Sequence, residues 1–155
     1  MSSFEVEQLR NLDVLLDVLI PPEGELPGAG EIGVAGAILE AVEQTPVLGT
    51  VIAQGLDRLS REAHERGGQP FDTLSVADRA AVVQTVAEAE PALVPSLLFH
   101  TYTNYYRHPK VMAVLGMEPR APFPEGYSVE MGDLSLLDPV RARGPLFRAV
   151  DDEAG

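Results

Sequence analysis

The chain has 155 residues, 45% of them apolar, with 24 acids against 11 bases and a net charge of −13. That length makes one domain able to bury roughly two-thirds of its surface, and the apolar content excludes a generically disordered chain. The acidic balance excludes a nucleic-acid binder or a protein of anionic membrane surfaces, and the absence of cysteine excludes disulfides, thiolate zinc, iron–sulfur clusters and c-type haem within the chain.

The charge is uneven. Residues 1–98 hold 16 acids and 5 bases, residues 99–155 hold 8 and 6. The start, MSSFEVEQLRN, has no basic n-region and no long apolar run, so no secretory or twin-arginine signal is read there. No segment reaches the roughly 20 continuous apolar residues of a membrane span. The expectation is a soluble, cytoplasmic chain without membrane insertion; export together with a partner would instead place it in the periplasm or outside the cell.

Residues 4–20 predict the first helix, with Val6, Leu9, Leu12, Leu15, Leu16, Leu19 and Ile20 at helical spacing, a Ser2–Glu5 capping box and Pro21-Pro22 as its stop. The loop that follows contains Gly28-Ala29-Gly30-Glu31-Ile32-Gly33, a match to the dinucleotide pattern G-x-G-x-x-G. A Rossmann glycine loop must follow a buried strand; this one follows Pro21, Pro22, Glu23, Glu25 and Pro27. The pattern therefore reads as a tight turn whose glycines permit close helix approach.

Residues 31–43 predict the second helix, with Val34, Ile38, Leu39 and Val42 inward. Thr45 and Pro46 start a third, with Val47, Val51, Ile52, Leu56, Leu59 and Ala63 on its apolar face and Gly67-Gly68 at its end. Ser75 and Asp78 begin a fourth over residues 76–89, with Val76, Ala80, Val83 and Val86 or Ala87 inward. The fifth runs over residues 92–107, presenting Val94, Leu97, Leu98, Thr101, Tyr102 and Tyr105, and one or two turns over 109–115 end at Gly116. No strand is visible. The fold class is all-α: a compact bundle of about five helices over residues 1–117, then a long irregular arm over residues 118–155.

Chemistry is hard to find. A di-iron bundle needs Glu-x-x-His pairs, and the residues three before His64, His100 and His108 are Arg61, Leu97 and Tyr105. There is no Gly-x-Ser-x-Gly elbow and no Walker loop. We read no catalytic residue, no cofactor-binding residue and no metal ligand in this chain.

The segment 99–148 is different. It holds seven of the nine aromatic residues and six of the eleven basic ones. Its second half is rich in Pro and Gly, yet carries Phe123, Tyr127, Leu134, Leu136, Leu137, Val140, Leu146 and Phe147. Irregular segments over about 15 residues are usually functional or linkers, and a flexible linker is neither aromatic nor apolar. The reading is an arm that wraps a partner; the alternative is a free-standing helical binding module with the arm packed on its own bundle.

Several short motifs, in order, carry a family resemblance: Leu19-Ile20-Pro21, Pro27-Gly28-Ala29, Gly33-Val34, Pro70-Phe71, Asn104-Tyr105-Tyr106, Pro109, Leu115-Gly116, Pro122-Phe123-Pro124-Glu125-Gly126-Tyr127 and Gly132-Asp133-Leu134-Ser135-Leu136-Leu137-Asp138-Pro139-Val140-Arg141. With these the chain resembles the gluconate 2-dehydrogenase subunit 3 family, small subunits of flavin-dependent GMC-type sugar and polyol dehydrogenases. The resemblance implies an all-helical, non-catalytic subunit. It also implies a large partner that carries FAD and oxidises a sugar or related alcohol. In that family the small subunit is associated with folding, stability and export of the large one; many relatives begin with a twin-arginine signal, which this sequence lacks.

Aromatic side chains give large contact area at low entropic cost, and arginine adds planar hydrogen bonding. On that ground the expected partner-binding residues are Tyr102, Tyr105, Tyr106, Arg107, Phe123 and Tyr127, continuing with Leu136, Leu137, Arg141, Arg143, Phe147 and Arg148.

Overall fold

The computed structural model describes residues 4–121, 123–128 and 130–144. The chain divides into two compact units, Met1–Arg120 and Ala121–Gly155. Among the described residues there is no strand; the nearest thing is a single bridge between Glu23 and Leu26.

The first unit is a helical bundle of α1 (Val6–Leu19), α2 (Val34–Gln44), α3 (Pro46–Gly67), α4 (Val76–Ala89), α5 (Leu93–Tyr105) and the short α6 (Pro109–Val114), with a 3-10 turn at Phe71–Thr73. Helix α3 packs against α1, α2, α4 and α5. Its Ile52, Leu56, Leu59 and Ala63 are fully buried, as are Leu12, Leu15 and Leu16 of α1, Ile38 of α2 and Leu97 of α5. Val82 and Val86 of α4 and Phe71 of the 3-10 turn complete one continuous core. Each of these large side chains contributes on the order of 1.5–3 kcal/mol through removal from water.

The helix boundaries follow local chemistry. Helix α4 spans the residues its sequence predicts, because the Ser75 hydroxyl accepts the Asp78 N–H at 3.1 Å and donates to the Asp78 carboxylate at 2.6 Å. Those contacts, with Arg66 second, hold the Asp78 carboxyl below the usual carboxylate range. Pro46 opens α3, and Gly68 closes it at φ 64° with its N–H on the His64 carbonyl.

Two boundary expectations need correction. The capping box of α1 is Glu5 with Gln8, whose side chain accepts the Glu5 N–H at 2.8 Å; Ser2 lies outside the described residues. Helix α2 begins at Val34, because Gly33 sits at φ 76° and residues 30–33 are a turn. The inward faces also shift: Val47 and Val76 are 74% and 80% exposed, and Ala80 is exposed while Val82 is buried. Val47 and Val76 stand in the first turns of their helices.

Helix α5 is locked to the loop before α2. The Tyr105 ring is 2% exposed, and its hydroxyl donates to the buried Pro27 carbonyl at 2.8 Å, 78 residues away in sequence. Burial, then the neighbouring Tyr106, pushes the Tyr105 phenol above its usual pKa. Tyr105→Phe should lower stability by about 1–2 kcal/mol in denaturant unfolding, because the buried Pro27 carbonyl loses its donor. An unchanged midpoint would show that the tether contributes nothing.

The second unit contains a 3-10 turn at Leu134–Leu137 leading into α7 (Asp138–Arg141). The Asp133 carboxylate starts it, accepting both the Ser135 N–H at 3.0 Å and the Ser135 hydroxyl at 2.6 Å. The sequence expectation of an arm with no helix of useful length is thus refined to one short helical turn. None of its described residues is buried.

Candidate functional site

The glycine loop is the first place to look for a ligand, and the protein fills it with its own side chain. The Asp17 carboxylate accepts the Gly30 N–H at 2.7 Å and the Glu31 N–H at 3.4 Å. That is where an anion would sit in such a loop. A Cβ at Gly28 would strike the Asp17 carboxylate, and one at Gly30 would strike the Asp13 carbonyl. The glycines are there so that the loop can lie directly on α1, as the sequence reading held.

Asp13 stands one turn before Asp17. Burial, with the Asp17 charge second, raises its carboxyl above the usual value. A raised folded pKa means that ionised Asp13 costs stability at neutral pH, and that the cost disappears as pH falls through the raised value. Asp13→Asn should therefore raise the neutral-pH unfolding midpoint, with no difference from the parent below the ordinary carboxylate range. Asp17→Ala should lower it by about 1–2 kcal/mol, since the Gly30 N–H loses its acceptor. Calorimetry across pH checks both signs; a stabilising Asp17→Ala would contradict the clasp.

The histidines are dispersed. His64 is exposed, its Nδ1 2.9 Å from the Ser60 carbonyl. His100 packs edge-on to Phe99 at 5.2 Å. His108 caps α6, its Nδ1 accepting the Lys110 N–H at 3.3 Å. Among the described residues no three His, Asp or Glu side chains gather as a metal site, and no helix is long and apolar enough to cross a membrane. The buried polar side chains serve packing: Asn11 donates to the Ser60 hydroxyl at 2.9 Å, and Thr101 to the Leu97 carbonyl at 2.6 Å.

Among the exposed side chains are a number of large apolar and aromatic ones. Of the expected partner-binding residues, Tyr105 is inside the bundle and offers a partner no surface; this corrects its assignment. Tyr102 and Tyr106 are 46% and 52% exposed, and Arg107 is exposed. In the second unit Phe123 is 87% exposed, Leu136 75%. Tyr127, Leu137, Arg141 and Arg143 are exposed as well, Arg141 pairing with Asp138 at 3.2 Å. Phe147 and Arg148 lie outside the described residues. Exposed side chains outside that expected set include Phe99, whose i, i+3, i+7 relation to Tyr102 and Tyr106 was the available signal, and Met131.

Among the described residues the bundle is all-helical, the Asp17 carboxylate occupies its glycine loop, and part of its apolar side chains stand exposed. The chain belongs to the gluconate 2-dehydrogenase subunit 3 family, whose family model matches residues 6–118. That span covers the bundle and ends before Pro119, so the resemblance read in Pro122–Arg141 lies beyond it. No curated protein matches the chain, and no solved structure does. The family's name makes this chain kin to one subunit of a multi-subunit assembly.

Proposed function

We propose that this chain is the non-catalytic small subunit of a flavin-dependent sugar or alcohol oxidoreductase. In this reading the large GMC-type partner carries the FAD and performs the oxidation. The small subunit holds that partner in its folded, flavin-loaded state and accompanies it if it is exported. The compartment is then the partner's.

The observation that carries the reading is the exposure of Phe123, Met131, Leu134, Leu136, Leu137 and Val140, at 46% or more each, in a unit with no buried described residue. Isolated exposed apolar residues need no explanation, but six exposed ones within 18 residues of sequence are more than a solvated segment needs, and a partner that covers them supplies the reason. The Asp133-capped turn displays three of them, Leu134, Leu136 and Leu137, on a preformed backbone, which lowers the entropic cost of docking. The family membership supplies the kind of assembly; the self-filled glycine loop is consistent with a flavin held elsewhere.

Co-expression of the full chain with a large flavin-dependent dehydrogenase subunit encoded beside it tests this. The two should co-elute, and omission of the small chain should lower flavin content and activity of the large one. A Leu136→Glu/Leu137→Glu variant should weaken the complex by at least about tenfold while leaving helical circular dichroism intact. Separate elution of the unmodified chains, with flavin content and activity indifferent to the small one, would refute the proposal.

A further inference from the structure

Helix α5 has a face that the core does not use. Leu93, Leu97, Thr101 and Tyr105 are buried, while Phe99, Tyr102 and Tyr106 stand at i, i+3 and i+7 on the other side, 68%, 46% and 52% exposed. The rings are ordered against one another. Tyr102 and Tyr106 lie 6.1 Å apart at 27°, and Tyr106 meets the buried Tyr105 edge-on at 5.2 Å and 89°. The ridge is thereby braced on the core, and a braced aromatic surface loses little freedom when something docks on it.

Its charge is as distinctive as its apolarity. From Pro91 to Met117 the chain contains no Asp and no Glu, in a protein that carries 24 of them. The same stretch holds Arg107 and Lys110. Lys110 is committed to Glu31 at 3.2 Å. Arg107 is exposed and, among the described residues, makes no ion pair. Arg107 lies in the turn just past α5, next in sequence to Tyr106, and α5 itself carries no carboxylate; aromatics with an arginine and few acids have the composition of an interface centre, where Asp, Glu and Lys are depleted and Tyr, Phe and Arg enriched.

We propose that this ridge is a second docking face for the large partner subunit, resting on the function proposed above, and that it meets an apolar hollow rimmed by carboxylates. Charge complementarity selects that chemistry. Carboxylates on the partner are repelled by most of this acidic chain and least opposed beside Arg107, in the stretch of sequence that carries no acid of its own. A basic partner surface would find no such discrimination. A second copy of this chain is disfavoured, because a two-fold contact between ridges sets the two Arg107 side chains on the same interface.

The test is titration of the purified large flavoprotein subunit with full-length chain at low and high salt. Phe99→Ala/Tyr102→Ala and Arg107→Glu should each weaken binding by at least about tenfold with unchanged circular dichroism, and Arg107→Glu should flatten the salt dependence. Parent-like affinity in both variants overturns the ridge. If Leu136→Glu/Leu137→Glu then still loses the partner, the proposed function stands and only this inference falls. If the unmodified chain does not bind the large subunit at all, both fall. A dimer of the chain alone, dissolved by the ridge variants, would assign the face to a second copy and overturn the proposal.

Discussion

Everything in the bundle depends on closing the loop between α1 and α2. That loop is rich in Pro and Gly, and its own pairing is a single bridge between Glu23 and Leu26. Contacts to the helices do the rest: Asp17 takes the Gly30 N–H at 2.7 Å, the Ile20 carbonyl takes the Ala29 N–H at 3.1 Å, and Tyr105 donates to the Pro27 carbonyl at 2.8 Å. The first two press the loop onto α1 and deliver Ala29 and Val34 to the core. The third fixes the rotation of α5 about its own axis. Once Tyr105 points in, Phe99, Tyr102 and Tyr106 must point out.

This single constraint links fold to function. The same loop that looks like a nucleotide cradle is consumed as an internal clasp, and the helix it clasps turns its aromatic face to the outside. Inside the bundle the polar groups of Asn11, Thr101 and Tyr105 are engaged in structural hydrogen bonds. Outside it stand exposed apolar and aromatic side chains. The family is named for one subunit of an enzyme assembly.

The sequence revealed those features whose cause is local. Pro46 with Gly68, and Ser75 with Asp78, mark the limits of α3 and of α4 because caps act within four residues. Helix phase was less legible. Helix α5 is apolar almost all round, from Leu93 and Val94 through Leu98 and Phe99, so periodicity alone does not separate Tyr105 from Tyr102 or Tyr106. Their fates are decided by Pro27, which is distant in sequence. Asp17 was unreadable for the same reason: a carboxylate on a helix looks solvated until the loop 13 residues later is seen folded over it. Val47 and Val76 fit an apolar stripe but stand exposed in the first turns of their helices. The arm's irregularity was legible from Pro and Gly; its turn at Leu134 depended on Asp133 reaching Ser135, a contact that composition hides.

The central claim is that the bundle is complete on its own and that the outward apolar surfaces are completed by another protein. Hydrogen exchange on the free chain and on its complex with the large flavoprotein subunit tests it most directly. The account predicts slow exchange in α1 to α5 of the free chain, and amides in 123–144 that exchange rapidly until the partner slows them. Amides in 123–144 already slow in the free chain, and unaltered by the partner, would contradict it.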